Sequence, residues 1–521
     1  MAEKAKLSDR VSVLDFGAKG DGVSLDTQAS QATIDACARN GGGTVFFPAG
    51  TYLTGTLILK SNVTLYLAAQ ARLLGSTDLK HYTIEDPHLE GDCLIYAIDA
   101  ENIGLAGEGT IDGQGWAFPC GAEGFNIEDV TYAPSGESFI RPVLLHFVRV
   151  RNLTITGLTL KSAPSWLSKY EASKDIKISG VRVDNRANQN NDGFDFIACE
   201  NVFISNCNMT CGDDAIPIFK SARNFVITNC VISSRWSAFR IGPDSTGVIK
   251  DIAVSNCVIY DTYGSAIKIQ NVEGGVMENI SYDNLVMDNV TGPISLRLAE
   301  WLGWRFERKE ALPVGKLRNI SFSNIRARVA DNSYPLKHEV PSWPGEKHSC
   351  INITGLPGHN VEGVTLSNIH ITFPGGGTRE EAAQRDIPEL RDHYPEYHMF
   401  GVLPAYGLYA RHAQELTLHN VRFDLAGPDL RPAVVCDDVA DLELSSFRAQ
   451  GHPEVESLIR LRQTRRAFIH GCRALTDIGT FVRAEGDDCH EVILADNDLH
   501  RVKSPIETAE GADSRAFIVQ S

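Results

Sequence analysis

The sequence predicts an all-β fold, a single-stranded right-handed parallel β-helix with an N-terminal capping helix. A motif of Asn or Asp, alternating β-branched residues and then Asn or Gly recurs from Asn152–Gly157 to Val492–Asp496. Its middle copies lie roughly 23 to 28 residues apart, which is a solenoid period, whereas propeller blades need about 40. Alternation places Val, Ile and Leu on one strand face, and Asn tolerates the left-handed backbone of a sharp turn. One coil cannot bury its apolar face alone, so stacked coils share a core.

The elements follow in chain order as one predicted domain over residues 1–521. Residues 11–60 hold the N-terminal cap and the first coils, residues 150–300 the coils with the strongest repeat, and residues 430–521 the C-terminal coils or cap. Within the cap, Gln28–Arg39 has the apolar periodicity of an amphipathic helix. The side chains that this helix offers for burial are Ala29, Ala32, Ile34 and Ala36.

Two long segments, residues 298–315 and 373–409, interrupt the repeat. Segments of this length are often functional loops. Both are rich in aromatic residues, whose faces suit stacking on sugar rings as well as ordinary packing. The aromatic residues are Trp301, Trp304, Phe306, Tyr394, Tyr397, Phe400, Tyr406 and Tyr409.

Composition restricts the partners. The formal net charge of −17 argues against nucleic acid, which requires a basic face, and allows a polyanionic substrate only beside a local cluster of Arg and Lys. No apolar run approaches the roughly 20 residues that span a bilayer. Residues 1–10 lack the apolar core of a signal peptide, so we expect a cytoplasmic protein, or a secreted or periplasmic one whose signal was removed. With no coiled-coil heptads, we expect a monomer.

The 12 cysteines include no closely spaced metal-ligand pair. Cys207, Cys230 and Cys257 each follow an Asn at equivalent places in successive repeats. This spacing predicts a ladder of small buried side chains.

Two acidic motifs, Asn190–Gly193 and Cys211–Asp214, carry the most chemical information. The 21-residue gap from Asp192 to Asp213 is close to one coil, so the two carboxylates should lie side by side on neighbouring coils. Neighbouring carboxylates repel, which should raise one pKa. A protonated acid beside an ionised base is the arrangement that glycosidic cleavage requires. A calcium site or solvated turn aspartates would fit the spacing equally well.

Several motifs resemble those of glycoside hydrolase family 28, the polygalacturonases and rhamnogalacturonan hydrolases, which share a pectin-lyase-like solenoid. Val13–Gly22 and Gly41–Gly50 look like the opening of that family. Asn190–Gly193 is similar to its Asn-Thr-Asp-Gly motif, with Asn191 in place of Thr, and Gly212–Asp214 is similar to its Gly-Asp-Asp motif.

This resemblance implies an inverting glycosidase that cleaves a pectic, galacturonate-containing poly- or oligosaccharide without a metal or cofactor. Asp213 would be the general acid that protonates the leaving oxygen. Asp192 and Asp214 would hold and deprotonate the attacking water, and Asn190 would contact the substrate. Inverting enzymes usually separate acid and base by about 6.5–9.5 Å.

The chain also departs from the family pattern. No histidine stands in residues 233–242, where the family has Gly-His-Gly, although rhamnogalacturonan-cleaving members also lack it. The family's Arg-Ile-Lys aligns with Ala266–Lys268, so only the lysine of the pair that holds the substrate carboxylate in polygalacturonases is kept. Arg240 could replace the missing arginine, or could simply pair with an aspartate.

Further residues are weaker candidates. Trp166 falls where the family has a tryptophan and either lines a subsite or is buried as core, and Arg411 and His412 follow the second interruption. Interruptions beside a groove tend to close one end, which favours exo action. The alternatives are a calcium-dependent polysaccharide lyase and a non-catalytic glycan-binding β-helix, since the fold does not determine the function.

Overall fold

The structure, a computed structural model, describes residues 9–82, 93–118, 141–300, 312–331, 348–513, 515 and 517–520. The chain divides into two compact units with the boundary between Trp236 and Ser237. Each unit is a right-handed parallel β-helix, which confirms the predicted fold class; the single-domain arrangement stays a prediction. Trp301, Trp304 and Phe306 lie outside the described residues. Among those residues, no helix is long and apolar enough to cross a membrane.

The described strands of the first unit, β1 to β20 in chain order, are Arg10–Ser12, Asp21–Leu25, Gly43–Phe47, Gly50–Thr54, Leu57–Ile58, Val63–Leu67, Ala71–Gly75, Cys93–Ile98, Glu101–Gly107, Thr110–Asp112, Val143–Val148, Arg151–Thr156, Thr159–Lys161, Ser168–Glu171, Lys174–Ser179, Arg182–Asn185, Phe194–Ser205, Asn208–Cys211, Ile216–Thr228 and Val231–Ser234. This unit also has the helix α1 (Thr27–Arg39) and short 3-10 turns at Val13–Phe16, Leu79–His81 and Gly115–Ala117.

The described strands of the second unit, β21 to β40, are Phe239–Ile241, Val248–Thr262, Ile267–Asn271, Val276–Val290, Ser295–Leu298, Lys316–Val329, Ile351–Thr354, Val361–Ser367, His370–Phe373, Leu408–His419, Arg422–Leu425, Val434–Ser445, Arg448–Ala449, Ile459–Arg462, Arg465–His470, Arg473–Ala474, Ile478–Glu485, His490–Ala495, Val502–Ala509 and Phe517–Gln520. Its helix α2 spans Arg379–Ala382. The described strands from Val434–Ser445 to Phe517–Gln520 continue the coils, which is one of the two alternatives predicted for residues 430–521.

Asparagine ladders fix the turns between coils. In the first unit, turn residues in the left-handed region (φ 56–64°) stack on successive coils, and each side-chain amide donates to its neighbour at 2.8–2.9 Å. Asn accepts this conformation at low cost, and the ladder satisfies polar groups that the turn exposes. The bonded pairs are Asn102 with Asn62, Asn152 with Asn102, Asn201 with Asp175, and Asn224 with Asn201.

The core of each unit consists of the inward side chains of stacked strands. In the first unit, Phe147, Tyr170 and Phe196 form a stack with ring centroids 5.7 and 4.8 Å apart. Cys207 and Cys230 are buried, and each thiol donates to the carbonyl two residues before it. These two residues lie on the predicted cysteine ladder, whose small side chains fit the inner side of the turns.

Helix α1 covers the open edge of the first coil, as predicted. The Gln31 side-chain amide donates to the Ile58 carbonyl at 3.1 Å and accepts from the Ile58 N–H at 2.8 Å, as a neighbouring strand would. The helix begins one residue before the predicted start, at Thr27. Its buried face includes the small polar residues Ser30 and Thr33, whereas Ala29 and Ala32 are only half-buried. A prediction based on apolar residues alone misses Ser30 and Thr33. The Thr33 hydroxyl can be buried because it donates to the Ala29 carbonyl of the same helix.

Long coil steps mark the interruptions of the repeat. The 298–315 and 373–409 segments correspond to steps of 40 and 52 residues between paired strands, and further long steps of 40, 50 and 44 residues were not predicted. The paired residues are Ile280 with Ile320, Val364 with Leu416, Leu65 with Leu105, Leu105 with Ile155, and Ile320 with Val364.

Residues 382–403, which we call the strap, cross the outer face of the second unit. Buried or half-buried side chains of successive strands donate to carbonyls of the strap, in reverse chain order. The strap therefore runs from the later coils of this unit toward the earlier ones. The donors and acceptors are Arg460 to Ala382 and Gln384, Arg462 to Arg385, Arg411 to Ile387, Arg297 to Glu389 and Leu390, and Gln270 to Pro395.

The aromatic residues of this interruption mostly pack. Tyr397, Tyr406 and Tyr409 are buried, with 6%, 1% and 1% of their surface exposed. Tyr394 and Phe400 are half-buried, and their rings lie 5.5 Å from Arg240 and 5.3 Å from Arg297 respectively. The packing interpretation therefore holds for the three buried tyrosines.

Candidate active site

The two acidic motifs occupy neighbouring coils of the first unit. Residues 190–193 lead into β17, and residues 212–214 connect β18 to β19. The Gly193 N–H donates to the Asp214 carbonyl at 2.9 Å, and the strand register pairs Phe196 with Ile218. The predicted placement of the carboxylates on adjacent coils is confirmed.

Three carboxylates converge at this point. One oxygen each from Asp192, Asp213 and Asp214 lies within 4.8 Å of the other two. Asp192 and Asp214 are buried, whereas Asp213 is partly exposed. A water about 2.8 Å from two oxygens at this largest separation would make an angle of about 118°, close to tetrahedral. The arrangement can therefore hold a water between the buried pair and leave Asp213 accessible to a substrate oxygen.

Asp213 is oriented by its own turn. Its Oδ1 accepts the N–H of Asp214 at 2.8 Å, and its carbonyl accepts the hydroxyl of Ser234. The Asp213 N–H donates to the carbonyl of Asn191 at 3.2 Å, which ties the two acidic motifs together. Such contacts fix a catalytic side chain before the substrate binds.

The same oxygens have the chemistry of a hard-cation site. Calcium and magnesium bind carboxylate oxygens, and the three aspartates supply them at close range. A chelator therefore separates water activation by the aspartates from a calcium-dependent reaction.

Asn191, which stands where the family motif has Thr, holds the Asp192 turn. Its Nδ2 donates to the carbonyls of Ala163 at 2.9 Å and Ser165 at 2.8 Å, and its Oδ1 accepts the Asn188 N–H at 2.5 Å. The side chain is fully buried. A threonine hydroxyl has one donor hydrogen and cannot replace all three bonds.

Replacing Asn191 with threonine is expected to destabilise the protein by about 2–4 kcal/mol, because buried carbonyls lose their donors at about 1–3 kcal/mol each. Urea unfolding would measure the loss, and kcat should fall because Asp192 follows directly. Asn208→Thr, at the exposed first position of strand β18, is the matched control. Equal stability of the two variants would show that Asn191 is interchangeable with the family's threonine.

Close backbone packing also shapes the turn. Asn185 is buried and donates to the carbonyl of Asp192 at 2.8 Å. A Cβ at Gly193 would lie 2.2 Å from the carbonyl oxygen of Ala215 on the next coil. Only glycine permits that approach, which accounts for its place directly after Asp192.

Asn190 is exposed, and its backbone is in the left-handed region (φ 49°). It lies two residues before Asp192 in the sequence. Its Oδ1 accepts from Arg141 Nη2 at 2.8 Å, and Arg141 Nη1 donates to the carbonyls of Gln189 at 2.6 Å and Pro164 at 3.2 Å. Substrate binding by Asn190 stays a prediction. Arg141 was not predicted, because it lies 49 residues upstream in no recognisable motif.

Trp166 is half-buried, and Lys169 Nζ lies 5.9 Å from the centre of its ring, within cation–π range. Lys169 and His146 both bind Glu171, the latter at 3.1 Å. Burial alone would raise the pKa of Glu171, but the His146 hydrogen bond and the Lys169 charge lower it to about 2. Burial lowers the pKa of His146. An aromatic face beside a cation suits an acidic sugar, although no sequence motif pointed to Lys169 or His146.

Arg240 and Lys268 are neighbours in the second unit, where the strand register pairs them directly. Lys268 is fully buried, and its Nζ lies 3.0 Å from Glu396 Oε2. Arg240 Nη2 lies 3.9 Å from Glu396 Oε1 and also donates to the Tyr394 hydroxyl. Arg240 thus pairs with a strap glutamate that the sequence did not indicate, and its pairing with an aspartate stays a prediction. Substrate binding by either cation stays a prediction.

Arg411 and His412 both contact Glu389 of the strap. His412 also binds Asp438 at 2.7 Å and is buried. The contacts of these two residues fasten the strap to strands β30 and β32.

The chain is similar to a known family of enzymes. The family model of Glycosyl hydrolases family 28 matches residues 37–381, which include both acidic motifs. A probable polygalacturonase of Vitis vinifera is 26% identical over 396 residues, 69% of this chain and 74% of that protein. An exo-poly-alpha-D-galacturonosidase of Dickeya chrysanthemi is 27% identical over 338 residues, 54% of this chain and 55% of that protein.

Among solved structures, an exopolygalacturonase from Thermotoga maritima has a TM-score of 0.60 at 22% identity and covers 80% of this chain and 91% of its own. This likeness shows the shared fold. The family match extends over most of the chain, so the chain belongs to glycosyl hydrolase family 28 and is a glycoside hydrolase.

Proposed function

We propose that this enzyme hydrolyses glycosidic bonds of a galacturonate-containing pectic poly- or oligosaccharide by single-displacement, inverting acid/base catalysis. The convergence of Asp192, Asp213 and Asp214 within 4.8 Å carries the proposal. The names of the relatives from Vitis vinifera and Dickeya chrysanthemi support galacturonan as the substrate.

The roles of the aspartates follow from their surroundings. Neighbouring carboxylates repel one another, which favours the protonated form of one of them. Asp213, which is partly exposed, protonates the leaving oxygen. Asp192 and Asp214, which are buried, hold the water and accept its proton as it attacks.

The proposal also predicts the stereochemical outcome, which is inversion at the anomeric carbon. Inverting enzymes usually separate their carboxyl groups by about 6.5–9.5 Å and retaining ones by about 5–5.5 Å. The nearest oxygens of the three aspartates lie within 4.8 Å of one another. We favour inversion because a water fits between the buried pair at this separation.

Exo action is the proposed mode. The exo-acting relative from Dickeya chrysanthemi supports the same mode.

We expect reducing-end release from homogalacturonan or rhamnogalacturonan, unchanged by EDTA, with a short product of fixed length from the first minutes. Mass spectrometry would identify the products, and proton NMR should show the anomer opposite to that of the substrate. Ultraviolet-absorbing unsaturated products that vanish with EDTA would establish a lyase instead. An early ladder of oligomers would exclude exo action, and retained configuration would make one aspartate a nucleophile.

A further inference from the structure

Arg240, Lys268 and Glu396 form a buried ion cluster in the second unit. The three residues are 6%, 0% and 8% exposed, and both cations approach the same carboxylate, at 3.9 and 3.0 Å. Removing charged groups from water is costly unless they are paired closely. The burial of all three groups therefore indicates that the Glu396 carboxylate is a fixed part of this cluster in the folded protein.

The strap around Glu396 is fastened on both sides. Before it, the Tyr394 hydroxyl accepts from Arg240 and the Pro395 carbonyl accepts from Gln270. After it, Tyr397 is buried and its hydroxyl donates to the Tyr263 carbonyl at 3.0 Å. These contacts hold Glu396 in place.

Glycine 292 shows how closely the strap is seated. A Cβ at Gly292 would lie 2.6 Å from the ring of Tyr397, so the ring packs directly on the backbone of the coil. The Tyr397 hydroxyl oxygen also lies 3.1 Å from Thr291 Oγ1. A segment inserted this tightly does not leave its place without breaking several buried contacts.

The chemistry of the cluster is that of a carboxylate receptor. A lysine and an arginine on adjacent strands lie 3.0 and 3.9 Å from one carboxylate, and such cations bind carboxylates through charge-assisted hydrogen bonds. His398 adds no positive charge at neutral pH, because burial lowers its pKa to about 4. The carboxylate of a uronic acid has the same charge and shape as that of Glu396.

We propose that Glu396 is a resident carboxylate that fills the Arg240–Lys268 site and thereby excludes acidic sugars from it. A sugar bound at this position is then neutral, whereas the two cations hold the strap. This consequence for substrate choice rests on the proposed pectin hydrolysis. The occupied carboxylate site itself does not, because it is tested by binding and stability alone.

Glu396→Ala removes the resident carboxylate and leaves room for another. We expect the variant to melt at a lower temperature than the wild type. Sodium acetate or galacturonate should raise its melting temperature more than that of the wild type at equal ionic strength, and galactose should not. Calorimetry should show that galacturonate binds the variant at least about tenfold more tightly than the wild type, because the free energy of one regained ion pair corresponds to about that factor.

Two further variants keep the test decisive. Glu454→Ala removes a carboxylate from an exposed ion pair and should behave as the wild type in every measurement. Glu396→Gln keeps the volume and removes the charge, so it should melt lower, gain nothing from acetate and recover when combined with Lys268→Met. Equal responses of Glu396→Ala and the wild type to both carboxylates, or wild-type stability of Glu396→Gln, would overturn the proposal. Failure of pectin hydrolysis would leave these binding results unchanged.

Discussion

Replacing Asp213 with asparagine is expected to lower kcat on the pectic substrate by about 10²–10⁴-fold, the usual contribution of a general acid. Asparagine cannot donate the proton that the leaving oxygen requires. Its amide oxygen can still accept the Asp214 N–H, as Asp213 Oδ1 does at 2.8 Å, so the turn should keep its geometry. Steady-state kinetics and urea unfolding, measured in parallel, would separate lost chemistry from lost structure.

The leaving group gives the internal control for this variant. An activated aryl glycoside needs little protonation, so its cleavage should fall much less than cleavage of the polymer. Asp184→Asn, on the exposed face of strand β16, should keep the wild-type kcat. Equal losses on both substrates would contradict the acid role of Asp213 and assign it to water activation instead.

The parts of the fold that the sequence predicted are those encoded locally. The residue type of Asn152 and Asn201 indicates their turn conformation, because few other side chains tolerate the left-handed region. The alternation that follows each Asn then assigns the inner face of the strand. Asp192 and Asp213 became neighbours by the same logic, since one coil separates them in a solenoid.

The parts that went unpredicted depend on contacts between distant segments. In the sequence, nothing distinguishes Arg297 and Arg460 from surface arginines. In the structure they are buried because the strap covers them, and carbonyls of the strap accept their hydrogen bonds. Glu396 had no motif at all. Its importance comes from Lys268, 128 residues earlier in the chain.

The charge balance has a related explanation. An acidic chain was expected to need a local cluster of cations to bind a polyanion, and Arg240 and Lys268 were the candidates. In the structure both contact the carboxylate of Glu396. Lys169 beside Trp166 is likewise paired with a carboxylate, that of Glu171, although its side chain is 18% exposed.

The largest effect on stability is expected at the ion pair between Asp429 and Arg431, which fastens both ends of the second interruption. Both residues are buried, and Arg431 donates to both oxygens of Asp429 at 3.0 and 2.8 Å. Asp429 also accepts the Gly377 N–H at 3.0 Å, while Arg431 donates to the carbonyls of Leu403 and Ala405. The pair therefore holds the chain at residues before and after the strap.

Replacing Asp429 with alanine should lower the free energy of unfolding by about 3–5 kcal/mol, because the guanidinium of Arg431 stays buried without its counter-charge. Urea unfolding would measure the loss, and limited proteolysis should cut more readily between residues 377 and 405. Asp288→Ala is the matched control, since Arg328 binds Asp288 in the same two-bond geometry at 2.7 and 3.0 Å but in solvent. That variant should lose no more than about 1 kcal/mol. Similar losses for the two variants would mean that burial adds nothing to the Asp429 pair, and that the strap is held by its arginine-to-carbonyl contacts alone.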